Sequence, residues 1–185
     1  MPRSSTWARR YRSSVTPDDA RTVADWFARP TRARPSSAPV GALQAAAVGH
    51  ADPWVRRDCL AVLDHVASDA SVATFQRALD DPVAPVRLAA IHGLACERCR
   101  TEELCVVDVV PRLVRAVAED PSAEVRHRAV ELLRGLAMRS PAAIAAIQRA
   151  RDDDPDPLVR EAATRALQPG HLPGRRALRR RSPHR

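Results

Sequence analysis

The chain has no lysine, so all 30 of its cationic side chains are arginine. That usage reads as the codon bias of a GC-rich bacterial genome rather than as a functional signature. Aromatic residues make up 3% of the sequence and there are only six glycines. So few of both argues against a β-sandwich and against a nucleotide-binding α/β sheet. The glycines are scattered, and none falls in a phosphate loop, a nucleophile elbow or a dinucleotide fingerprint. Long apolar runs are missing too. The arginine-rich N-terminus lacks the apolar segment of a secretory signal, and no stretch approaches the length of a membrane span. The expectation is a cytoplasmic protein with no membrane partner, in which cysteines stay reduced.

Acid is absent from both ends. Residues 1–16 hold Arg3, Arg9, Arg10 and Arg12, and residues 169–185 hold Arg175, Arg176, Arg179, Arg180, Arg181 and Arg185, with no acidic residue in either segment. Against the formal charge of +8, these ten arginines leave −2 for residues 17–168. The basic character therefore belongs to two tails and not to a groove, which predicts weak, nonspecific polyanion binding by the tails alone.

What is abundant is alanine, within a hydrophobic content of 45% over 185 residues, enough for a helical core. Residues 1–15 read as a basic disordered N-terminus. A helix follows over 16–29, with Thr16 as N-cap, Pro17 in the first turn, and Asp18 and Asp19 near the positive end of the dipole. Residues 30–40 carry three prolines (Pro30, Pro35 and Pro39) and read as a linker. Residues 169–185 form a second basic disordered tail.

Between linker and tail, over 41–168, the chain is periodic. Val55-Arg56, Val86-Arg87, Val125-Arg126 and Val159-Arg160 recur at intervals of 31, 39 and 34 residues, the range of helical repeat arrays. Four residues on stand Cys59, Ala90, Ala129 and Ala163, and eight on stand Leu63, Leu94, Leu133 and Leu167, a small residue and a leucine on one face. Each unit's second helix is announced by Asp-Pro: Asp52-Pro53, Asp81-Pro82, Asp120-Pro121, and Asp154-Pro155 with Asp156-Pro157. The first helices of the pairs are predicted at about 41–49, 70–79, 108–118 and 141–151.

These units resemble HEAT repeats of the short bacterial kind related to phycobilisome-lyase repeats. The resemblance implies an all-α fold, an α-solenoid of about four HEAT-like helix pairs with an extra N-terminal helix. It further implies a ladder between successive repeats, pairing Asp52, Asp81, Asp120 and Asp154 or Asp156 with Arg56, Arg87, Arg126 and Arg160. The first unit departs from the spacing, with only Trp54 and Val55 between Asp52-Pro53 and Arg56. The family's usual role is a non-enzymatic scaffold for a protein partner.

The longest interval contains a cysteine-rich insert over 95–106. His92, Cys96, Cys99 and Cys105 form a Cys-x2-Cys turn flanked by a histidine one helical turn earlier and a returning cysteine. Zinc takes four nitrogen or sulfur ligands in a tetrahedron at about 2.0–2.3 Å, and four protein ligands close the shell, so the site is expected to be structural rather than catalytic. Cys59 aligns with three alanines and reads as a buried small residue instead. His92-x3-Cys96-x2-Cys99 is also similar to the local motif of zinc-associated anti-sigma factors, in which oxidation ejects zinc. His50, His65, His127, His171 and His184 read as surface histidines, and Asp152-Asp153-Asp154 as dipole-capping acids. Three functions are in play: a protein-binding scaffold with a zinc knuckle, a nucleic-acid-binding HEAT-like protein, and a zinc-thiol redox switch. The first is favoured because no catalytic constellation appears and the repeat region is slightly acidic.

Overall fold

A computed structural model describes residues 15–29, 38–66, 71–95, 109–137 and 140–168. Nine α-helices and no strand occur among them: α1 Pro17–Ala28, α2 Val40–Gly49, α3 Pro53–Val66, α4 Val72–Ala78, α5 Ala84–Ala95, α6 Val110–Glu119, α7 Ala123–Leu136, α8 Pro141–Asp153 and α9 Pro157–Leu167. After α1 they form four pairs, α2/α3, α4/α5, α6/α7 and α8/α9. This is the all-α organisation that the periodicity predicts.

The chain divides into two compact units, Met1–Val107 and Asp108–Arg185, at the longest interval between repeats. In the first unit α2 packs on α3 and α4 on α5, while α2 also meets α4 and α3 meets α5. First helices thus stack on first helices and second on second, in two layers. α1 lies against α2. The second unit repeats the scheme with α6 on α7, α8 on α9, α6 on α8 and α7 on α9.

Each core follows from the repeat. Cys59, Ala90, Ala129 and Ala163 are all fully buried, as are Leu63 and Leu133. Small side chains let the two helices of a pair approach, and leucines fill the space one turn on. Leu43, Leu60, Phe75 and Ile91 complete the first core, and Leu113, Val130, Ile147 and Val159 the second. Burying one such side chain contributes roughly 1.5–3 kcal/mol, so a handful per unit outweighs the weak intrinsic helicity of 7- to 14-residue helices.

Local signals set the helix starts. The Thr16 hydroxyl accepts the Asp19 N–H at 3.1 Å and donates to the Asp19 carboxylate at 2.7 Å. Ser140 accepts from Ala143 N–H at 3.3 Å ahead of Pro141. Asp156 accepts from Leu158 N–H at 2.8 Å ahead of Pro157. The Asp-Pro pairs at 81–82, 120–121 and 154–155 sit earlier than predicted. They lie in the loops before α5, α7 and α9, where the aspartate accepts the N–H two residues on, Val83, Ser122 or Asp156, at 2.9 Å in each case. The proline follows the first helix and does not open the second.

Candidate functional site

Those loop aspartates are one side of a repeated polar joint. Arg56 is buried, and its Nε and Nη2 donate to the two carboxylate oxygens of Asp81 at 2.6 and 2.8 Å. Arg126, also buried, meets Asp154 in the same forked geometry at 2.8 and 2.9 Å. In both cases the arginine of one repeat holds the aspartate of the next. The third guanidinium nitrogen turns back to its own loop: Nη1 of Arg87, Arg126 and Arg160 donates to the carbonyls of Asp81, Asp120 and Asp154 at 2.7, 2.9 and 2.7 Å. A planar fork with five donors suits this double duty, and a lysine could not replace it.

The electrostatics follow the geometry. Burial pushes the Asp154 carboxyl up. The hydrogen bond from Arg126, the Asp156 N–H and the charges of Arg126 and Arg160 outweigh it and hold the group below its ordinary value. Arg126 is raised, chiefly by the hydrogen bond to Asp154. Neither charge titrates near neutral pH.

The first repeat is built differently from the expectation. Each ladder aspartate stands six positions before the arginine of its own repeat, and six positions before Arg56 stands His50, not Asp52. His50 is buried, its Nδ1 accepts the Asp52 N–H at 3.0 Å, and Arg56 Nη1 donates to its carbonyl at 2.6 Å. It performs the loop-closing duty of Asp81, Asp120 and Asp154 and is not a surface histidine. Asp52 instead matches Asp156, its carboxylate accepting the Trp54 N–H at 2.9 Å. Burial pushes the His50 imidazole below its ordinary value, and the Arg56 charge lowers it further against the opposing effect of Asp52. The signal was in the spacing: counting back from Arg finds His50, whereas matching Asp-Pro pairs finds Asp52.

The acidic run is also divided by structure. Asp154 is a ladder residue, whereas Asp152 lies on the last turn of α8 and pairs with Arg151 at 2.7 Å. The run does not cap the next helix.

Of the predicted zinc ligands, His92 is placed and Cys96, Cys99 and Cys105 lie outside the described residues. His92 stands in the last turn of α5 with its side chain 39% exposed, as expected of its surface offset. Its Nε2 lies 3.4 Å from Oδ2 of Asp64 on α3, whose side chain is only 5% exposed. Oδ1 of Asp64 has no hydrogen-bond partner among the described residues. A buried carboxylate behind a half-exposed imidazole suits a metal-binding histidine. Cys59 is fully buried and burial pushes its thiol above its ordinary value, as suits the small core residue its alignment with three alanines predicts. No group of three or more His, Cys, Asp or Glu able to hold a metal occurs among the described residues. No described helix is long and apolar enough to cross a membrane.

Among the described residues, one aromatic is exposed. Trp54 is 49% exposed at the start of α3, with the Arg57 guanidinium 4.8 Å from its ring centroid.

A family model described as HEAT repeats matches residues 38–134 and again 86–168. No curated protein matches the chain.

Proposed function

Because the chain belongs to the HEAT-repeat family, we propose that it is a non-enzymatic scaffold that holds a protein partner on the exposed faces of its helix pairs. The observation that carries this reading is Trp54, a large aromatic left half in solvent at the start of α3, in a chain with few exposed large apolar side chains among its described residues. Tryptophan and arginine are the residues most often found at the energetic centres of protein interfaces, and here Arg57 already stacks on the ring. HEAT repeats commonly serve as interaction scaffolds, which supports the class of partner. Cytoplasmic location, a bacterial source and likeness to phycobilisome-lyase repeats belong to the same proposal.

Nucleic-acid binding is the competing class. It draws support only from the arginine tails, since residues 17–168 carry a formal −2. The test uses the full chain and a version with its ten tail arginines changed to glutamine, each as bait in extract of the native host. A protein retained by both supports the scaffold. DNA bound equally well by both, across a salt titration, contradicts it.

A structural zinc held by His92, Cys96, Cys99 and Cys105 is the second part of the proposal. Clustered thiols beside a histidine backed by Asp64 form the donor set that zinc favours. Zinc would tie the end of α5 to the chain that follows it and supply no catalytic chemistry. The expected result is one zinc per chain, lost in Cys99→Ser and retained in Cys59→Ala. The redox-switch alternative predicts in addition that peroxide releases the metal.

A further inference from the structure

We infer that Arg160, in the last repeat, is a docking point for a carboxylate: its guanidinium fork takes an aspartate or glutamate of a different protein, as Arg56 takes Asp81 and Arg126 takes Asp154. This rests on the scaffold reading above and deepens it, since it names the chemistry the partner carries and the repeat it meets. Arg160 is anchored as the other ladder arginines are, its Nη1 donating to the Asp154 and Pro155 carbonyls at 2.7 and 3.0 Å. Arg56 Nη1 makes the same two contacts, to His50 and Ala51. In Arg56 and Arg126 that anchoring leaves Nε and Nη2 to the aspartate of the following repeat. No helix follows α9 among the described residues, and within them Nε and Nη2 of Arg160 make no hydrogen bond. Arg160 is accordingly only partly buried, whereas Arg56, Arg87 and Arg126 are buried. A planar fork already held by its own loop loses little freedom on pairing with a carboxylate and offers it two parallel donors.

The same face of the last helix pair is left to solvent around the fork. Thr164, one turn after Arg160, is exposed where the other repeats bury Leu60, Ile91 and Val130, and Ile144 on α8 is 38% exposed. A cation among polar groups with an apolar side chain nearby suits a protein interface steered by charge. The chain does not supply the carboxylate itself. Residues 169–185 contain no acidic residue. A second copy that continued the ladder would bring His50, the first repeat's residue at the aspartate position, and offer a ring in place of a carboxylate. A nucleic acid is disfavoured as well, because Asp152, Asp153, Asp156 and Glu161 stand beside Arg160 in the sequence and repel a polyanion. A single carboxylate on a protein loop meets no such barrier, as Asp154 shows at Arg126 with Asp156 and Asp120 close by.

The absence of lysine supplies the test. Arg160→Lys keeps the charge and introduces the chain's single side-chain amine, which a carbodiimide joins as an amide to a carboxylate in direct contact, the reagent leaving as its urea. The full chain carrying Arg160→Lys is used as bait in nuclease-treated extract of the native host, coupled, digested and read by mass spectrometry. The expected result is an amide between position 160 and an aspartate or glutamate of a co-purified protein. That protein, once isolated, is expected to bind Arg160→Gln at least about 10-fold more weakly than the wild-type chain. Should Arg160→Gln fail to fold, the cross-link alone decides. No link, a link only to Asp154, Asp156 or Glu161 of the same chain, or a link between two copies overturns the inference. So does a nucleic acid that is retained by the wild-type chain and lost in Arg160→Gln, since the fork would then serve phosphate. A protein that Arg160→Gln binds undiminished and Trp54→Ala releases overturns it while leaving the scaffold reading standing. A wild-type chain that retains no protein sinks both.

Discussion

Arg126 uses its guanidinium twice, on the Asp120 carbonyl inside its own repeat and on the Asp154 carboxylate of the next. Removing one partner of such a buried pair leaves the other charged and desolvated. Asp154→Ala and Arg126→Met are each expected to cost about 3–5 kcal/mol in chemical denaturation, and the double substitution less than the sum. The pH dependence has a definite sign. Asp154 is held below its ordinary value when folded, so its contribution is complete above about pH 3.8 and is lost as pH falls further. Two glycines make a second contrast at this scale. A methyl at Gly93 would meet the fully buried Phe75 ring, nearest Cε1 and with Cδ1 at 2.6 Å, whereas at Gly135 it would meet nothing within 4 Å. Helix propensity favours alanine over glycine by about 1 kcal/mol at both places, so only packing decides the sign. Gly93→Ala is expected to destabilise by about 1–3 kcal/mol and Gly135→Ala to stabilise slightly, both read by denaturant midpoint.

At the scale of elements, the helices were legible in the sequence because each pair repeats one face: Cys59, Ala90, Ala129 and Ala163 share an offset, and all are buried. The loops were less so. Asp-Pro marks a turn, but whether the aspartate caps the next helix or closes the loop before it depends on two residues of spacing. His50 was missed for that reason and because its residue type hides its duty. No Val-Arg unit precedes the first repeat among the described residues, so an aspartate there would be a buried charge without a ladder arginine from a preceding repeat, whereas a neutral imidazole closes the loop at less cost. The pH consequence runs opposite to a charged pair. The unfolded chain takes up a proton near pH 6.5 and the buried ring only at lower pH, so stability is complete above about 6.5 and declines as pH falls toward the folded value. His50→Asn, which keeps an acceptor, is expected to flatten that decline in thermal melts between pH 7 and 5, whereas a decline that persists would place its origin elsewhere.

For the whole molecule, the count of repeats and their register followed from the Val-Arg spacing, but the character of the last one did not. Five residues after that valine stand Leu60, Ile91 and Val130, all buried, and then Thr164, which is exposed. Eight residues before that valine the contrast recurs along the first helices, where buried Ala47, Ala78 and Val117 give way to exposed Arg151. A polar outer face is what a terminal repeat needs to stay in water. The proposed zinc ligands were legible only as a spacing, and the approach of Asp64 to His92, 28 residues further on, is made only by folding. The central claim is that the helix pairs, and not the basic tails, hold a protein partner. Native mass spectrometry of the chain isolated from its host after nuclease treatment tests it most directly. The account predicts a species containing a second protein that disappears in Trp54→Ala, while a chain that carries only nucleic acid fragments, or one whose protein complement is untouched by Trp54→Ala, would contradict it.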